Sequence, residues 1–254
     1  GIYFLYSGPN TGIFFQIDLR ILVGIGLGGT AISIPMSVVG KHFPLSNRTI
    51  AMSIVTAVGS FGYFISPLYT SYSLINNGWI NTLFVFILVL VIGFFLSFFV
   101  RSPLLSEIIE KPNDQSTINA LKEAFETKSY LLLTAGFFVC GFHITLVGTH
   151  VPTYVIDRGL EGWTAATILS LIGLFNIFGS LLSGYLSTKM SKKIILSGIY
   201  LLRGISICFF IFLPPSNISA LIFGASFGFL WLSTVPATSG IVAHIFGTKY
   251  LGLL

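Results

Sequence analysis

Seven apolar runs recur along this chain of 254 residues, at roughly 19–40, 49–71, 79–100, 130–153, 163–187, 194–213 and 218–246. Each is as long as the stretch of about 20 residues that an α-helix needs to cross a bilayer. Backbone inside hydrocarbon must satisfy its own N–H and C=O groups, so only helices and closed barrels can span. A barrel strand would alternate apolar and polar residues, and these runs do not. The expected fold is therefore an all-α polytopic membrane protein. Composition points the same way. Hydrophobic residues make up 54% of the chain and charged residues 8%, against about 25% charged in soluble domains. Mean hydropathy is +0.92. Such a chain can neither cover a soluble surface nor stay disordered. Residues 1–7 read as the tail of an earlier span and 249–254 as the start of a later one, so the chain reads as a piece of a longer protein.

The net charge is +5, from 13 Lys and Arg against 8 Asp and Glu. These charges sit in short loops rather than on one face, which argues against a nucleic-acid partner. Basic residues concentrate in alternate loops: Lys41 and Arg48; Arg101, Lys111, Lys122 and Lys128; Lys189, Lys192 and Lys193. By the positive-inside rule, loops 41–48, 101–128 and 187–193 face the cytoplasm. That gives a multi-pass protein of the cell membrane, with the lipid bilayer as its surroundings. Cys140 and Cys208 both lie inside apolar runs, so neither a disulfide nor a metal site is expected, and no cofactor. In the one long loop, Ser116 to Glu126 carries Ile118, Leu121 and Phe125 at helical spacing. It reads as a short amphipathic helix on the cytoplasmic surface.

Small residues recur four apart, as helix pairs in lipid require for close approach. The pairs are Gly24 and Gly28, Ser180 and Gly184, and Gly224 and Gly228. A faint repeat accompanies them. A shift of 202 residues lays Gly26, Ser37 and His42 on Gly228, Ser239 and His244. Six helix steps separate the two copies, the spacing of a transporter with two six-helix halves.

Longer stretches resemble the major facilitator superfamily, with bacterial monocarboxylate-porter-like members as the nearest in kind. Ile21–Thr30 with Phe43-Pro44 and Arg48 resembles the family's fourth helix and the loop after it. Ala57–Gly62 is similar to the fifth helix. Gly136–His143 with Thr149–Pro152 resembles the seventh, and Leu174–Ser180 the eighth. Tyr200–Arg203 resembles part of the ninth, and Thr234–Pro236 part of the tenth. The resemblance implies three parts. Residues 1–100 hold the end of the third helix and helices four to six. Residues 101–128 form the central loop, and 129–254 hold helices seven to ten and the start of the eleventh. The loop after the eighth helix reads as a degenerate family signature: Gly184, Thr188, Lys189, Ser191, Lys192 and Lys193. Thr188 stands where the family has an acid. The eighth helix lacks the Asp and Arg pair of eukaryotic monocarboxylate porters, and the fifth lacks the glycine-proline signature of drug antiporters.

Polar groups inside spans are costly and so mark functional candidates. No Asp or Glu lies deep in any run. His143, Asn176 and Arg203 sit near mid-span and are substrate-binding candidates. Arg203 could oppose an anionic substrate, and His143 could titrate near neutral pH. The resemblance places Thr30, Ser33, Trp231 and Thr234 on cavity-lining helices. His150 at an outer end, and Pro35 and Pro236 at similar places in the two halves, are gate candidates. The resemblance implies a monomeric secondary transporter, no enzyme, that moves a small organic anion such as a monocarboxylate by alternating access. Symport with a proton or another ion would drive it. A seven-helix receptor or photoreceptor-like protein is the alternative. It would need a lysine in the last span or receptor-type signatures, which are missing.

Overall fold

A computed structural model describes residue 21 and residues 33–99, 117–214 and 216–247. Among these residues there are nine helices and no strand. In chain order they are α1 (Ser33–His42), α2 (Leu45–Asn76), α3 (Gly78–Ser97), α4 (Thr117–Glu126), α5 (Lys128–Asp157), α6 (Gly162–Lys189), α7 (Lys192–Phe212), α8 (Asn217–Leu230) and α9 (Thr234–Phe246). Six stretches among them are long and apolar enough to cross a membrane, with α8 and α9 together forming the sixth. The first expected run lies mostly outside the described residues, as do the two chain ends and most of loop 101–128.

Helix α3 shows what surrounds the molecule. Its only buried residue is Thr82, and Phe84, Leu90, Phe94 and Phe95 are all more than half exposed. Water would not tolerate an apolar face of that size on a folded protein, whereas lipid does. Thr82 faces inward and donates to Ser73 Oγ of α2 at 2.8 Å.

Helix α6 is the centre of the bundle. It packs along α2 on one face and along α8 on another. Glycines set both approaches. A Cβ at Gly184 would lie 2.5 Å from Ser53 Cβ of α2, and one at Gly228 would lie 2.5 Å from Ile172 Cα of α6. Gly224 meets Ile168 in the same way, at 3.2 Å from its Cα. The spacing read from the sequence thus marks real contacts for Gly184, Gly224 and Gly228.

Gly179 makes a tighter contact. A Cβ there would overlap the Phe229 carbonyl and lie 2.7 Å from Ser233 Oγ. Gly179→Ala is expected to destabilise the protein by about 1–3 kcal/mol through overpacking. Gly141→Ala, which meets nothing within 4 Å, is expected to be neutral or slightly stabilising. Thermal unfolding of the two variants in detergent checks the contrast.

Two apolar clusters hold the rest. One joins α5, α6 and α8 through Val151, Ile168, Ile172, Phe223, Phe227 and Trp231, with Tyr63 of α2 against it. The other lies at the basic end and gathers Met36 of α1, Met52 of α2, Ala124 of α4, Tyr130 of α5, and Val235 and Val242 of α9. Toward the opposite end α2 exposes Leu68, Tyr72 and Ile75. Helix α4 forms as its spacing predicts, but Ala124 is its buried residue; Ile118 and Phe125 are exposed.

The last expected span differs from its sequence reading. Residues 218–246 look like one continuous run, yet the helix stops at Leu230 and restarts at Thr234. Pro236 supplies the local cause. It has no N–H to give to the Leu232 carbonyl, and its ring crowds that group. Val235 N–H bonds to Leu232 O instead, at 2.9 Å. Pro67 and Pro152 do not have this effect, and α2 and α5 run on through them.

Candidate functional site

The break at residues 231–233 falls about 21 Å into a 30-residue span (217–246), near mid-membrane. A helix end there leaves carbonyls and an N–H without intrahelical partners. Lipid cannot supply partners. Side chains from two other helices do.

Asn176 of α6 is fully buried, and its Oδ1 accepts from Leu232 N–H at 2.7 Å. Its Nδ2 donates to Ser60 Oγ of α2 at 2.6 Å. One amide therefore ties the broken helix to α2 through α6. Ser183, two turns further along the same face of α6, donates to Ser233 O at 2.6 Å. Ser233 Oγ donates to Phe229 O at 2.7 Å.

Arg203 of α7 holds the other side. It is fully buried. Its Nε donates to Leu230 O at 2.9 Å, and its Nη2 donates to Leu230 O at 2.6 Å and to Trp231 O. Its Nη1 donates to Cys140 Sγ of α5 at 3.1 Å, and Tyr200 lies under the guanidinium at 5.6 Å. Toward the middle of these spans no carboxylate is present among the described residues; Asp157 ends α5. The charge is met instead by the C-terminal carbonyls of α8, the negative end of a helix dipole. The planar fork of arginine meets these carbonyls with Nε and Nη2 in fixed geometry, which the compact ammonium of a lysine does not match.

The other candidates gather unevenly around this break. Thr234 is fully buried beside Cys140, with Oγ1 at 3.4 Å from Sγ. Trp231 is 3% exposed and packs its ring on Phe227 and on Tyr63 of α2, with centroids 5.5 and 5.9 Å apart. His143 lies one turn beyond Cys140 on α5. Its Nδ1 is buried and has no hydrogen-bond partner. His150 is exposed near the outer end of α5, and Pro35 is exposed on α1. Ser33 opens α1. Thr30, with Gly24 and Gly28, lies outside the described residues. His42 closes α1, and His244 lies in the last turn of α9.

The signature loop sits at the basic end. Thr188 turns its hydroxyl back to Tyr185 O at 2.7 Å, so it does not reach another helix. Lys189 lies 4.6 Å over the Tyr185 ring. Ser191 precedes α7 without a side-chain cap, and Lys192 and Lys193 begin the helix. Lys192 leans toward α9. Its Cε would lie 2.9 Å from a Cβ at Gly240.

Sequence reasoning did not single out Ser60, Tyr63, Cys140 or Ser183 as site residues. Ser183 could have been found, because it lies seven residues from Asn176 on the same helix face. The other three become visible only when α2 and α5 are seen against the break. A groove of about 730 Å³ between α7 and α8 is lined by Leu202, Phe209, Phe223 and similar side chains. It is apolar, and none of the polar candidates lines it.

The sequence profile of the Major Facilitator Superfamily matches residues 1–254. The chain belongs to that superfamily. It is 26% identical to an uncharacterised MFS-type transporter of Bacillus subtilis, YcxA, over 97% of this chain and 61% of that protein. It is 23% identical to the sialic acid transporter NanX of Escherichia coli, again over 97% of this chain and 61% of the relative. A cis,cis-muconate transport protein of Acinetobacter baylyi is 23% identical over 72% of this chain and 46% of its own length. The chain thus spans about three fifths of the first two relatives. No solved structure matches it. A multi-pass all-α membrane protein of this superfamily is what the helices and the profile together establish.

Proposed function

We propose that this chain forms the middle of a secondary transporter that moves a small organic anion, a monocarboxylate in the simplest case, by alternating access. The observation that carries the reading is the break at residues 231–233. A discontinuous helix near mid-membrane is where transporters place their substrate sites and their bending points. Here the break is tied to α2 by Asn176, to α6 by Ser183 and to α7 by Arg203. Anion preference follows from charge. Toward mid-span the described residues carry a buried arginine and a histidine but no acid, and two relatives are named for organic acids, sialic acid and cis,cis-muconate.

Loops 41–48, 101–128 and 187–193 then face the cytoplasm of a cell membrane, with helices up to α3 in one bundle and those from α5 onward in the other. The apolar cluster at the basic end closes the cytoplasmic side, and the exposed outer part of α2 borders the open side. His143, Trp231 and Thr234 are the described cavity candidates, and Thr30 and Ser33 join them on the opposite bundle. Arg203 reaches substrate only when it releases the α8 carbonyls. Pro236 and Pro35 are the bending points, and His150 lies at the outer gate. The transporter acts as a monomer and couples the anion to a proton.

The test is uptake of labelled short carboxylates by cells that express the full-length gene, with and without a protonophore. Accumulation that collapses with the protonophore is the expected result. No uptake of any carboxylate would remove the anion assignment.

A further inference from the structure

A proton-coupled transporter needs a group within the membrane that can take the proton. Among the described residues, Glu123 and Glu126 lie on α4, while Asp157 and Glu161 flank the α5–α6 turn. None of these acids lies near mid-span. Two imidazoles occur on α5. His150 is exposed near the outer end, whereas His143 sits mid-span with a buried, unpartnered Nδ1. An imidazole nitrogen without a partner can accept a proton at no cost in lost hydrogen bonds.

Its neighbours decide what that proton would do. From α5 itself Cys140 lies one turn away, with its sulfur taken up by Arg203 Nη1 at 3.1 Å. From α7 come Arg203, whose Nη1 meets the Cys140 sulfur one turn from His143, and Tyr200 under the guanidinium. From α9 comes Thr234, an uncharged hydroxyl 3.4 Å from Cys140 Sγ. The Phe142 ring lies 6.2 Å from the imidazole. None of these groups is an acid. A proton on His143 therefore sets a second cation beside a first that has no carboxylate partner among the described residues. Repulsion between like charges is strong in such a medium. One carboxylate between the two cations would remove it and accept hydrogen bonds from both.

We propose that His143 is the proton-binding residue that couples proton entry to substrate entry, with protonated His143 and Arg203 forming a joint site for one carboxylate. This rests on the organic-anion reading above. The proton passes from water to the imidazole, and the anion enters with it, so one positive and one negative charge load together. By linkage each ligand tightens the other. The same second cation weakens the hold of Arg203 on the α8 carbonyls, which frees the guanidinium for the substrate.

The experiment uses the full-length protein in proteoliposomes and a labelled carboxylate from the uptake panel. Gradient-driven accumulation and gradient-free counterflow are measured on wild type, His143→Gln and His143→Asn. Both variants are expected to lose accumulation above the equilibrium level and to bind the carboxylate more weakly, so that counterflow survives only at a raised carboxylate concentration. Wild-type uptake is expected to alkalinise the outside medium, and uptake by the variants is not. Accumulation that persists in either variant overturns the proposal. Loss of counterflow even at saturating carboxylate, in variants of wild-type thermal stability, also overturns it, because His143 would then be needed for translocation itself and not for the proton. A wild type that moves no carboxylate fails at the earlier reading and takes this one with it.

Discussion

Arg203→Met is expected to be the most damaging single substitution in the described chain. It strips the Leu230 and Trp231 carbonyls of their donors at a buried helix end. Each orphaned acceptor costs about 1–3 kcal/mol, and relief from burying an unpaired cation returns part of that. The net loss should be on the order of 3 kcal/mol, by the same estimates. Arg203→Lys should fall between, since an ammonium keeps the charge but lacks the fork. Thermal unfolding of the full-length variants, with carboxylate uptake measured alongside, checks the order wild type, Lys, Met. A Met variant as stable as wild type would mean that the break does not depend on Arg203.

Asn176→Leu should have the second largest effect, and a different one. Leucine fills the volume but leaves Leu232 N–H without an acceptor, at about 1–3 kcal/mol. It also cuts the link from the break to Ser60 of α2. Stability should fall less than with Arg203→Met, yet transport should fall at least as far, because the amide joins the moving parts. Asn176→Asp separates the two roles: it keeps an acceptor for Leu232 N–H and replaces the donor to Ser60 with a charge. Its uptake should be lost even where its fold survives. Ser60→Ala is the control on the α2 side. Wild-type uptake by Asn176→Leu would contradict the role given to the amide.

The spans were legible because hydrocarbon imposes one simple demand, a long apolar run, on every helix that crosses it. The glycine pairs were legible for a similar reason. Gly224 and Gly228 advertise a close approach by spacing alone. What the spacing could not say was that their partners are Ile168 and Ile172 of α6. The break was hidden. Residues 218–246 carry no Asp, Glu, Lys or Arg, and a hydropathy reading averages across a three-residue gap. Pro236 hinted at it, but Pro67 and Pro152 gave the same hint where the helix runs on. The difference lies in partners far along the chain. Asn176 and Ser183 are 56 and 50 residues from the backbone groups they satisfy, and Arg203 is 27 from Leu230. Arg203 itself stood out as a charge at mid-span. Its hold on the carbonyls of α8 could not be read from its position.

The most direct measurement follows distances at the two ends of the bundle. In the full-length protein, one spin-label pair replaces Ser46 of α2 and His244 of α9 at the basic end. A second pair replaces Ile75 of α2 and Ile218 of α8 at the other end. All four positions are exposed. If the protein alternates access about the break, adding a transported carboxylate with a proton gradient should lengthen the first pair while the second shortens. Two distances that stay fixed while the protein transports would contradict it.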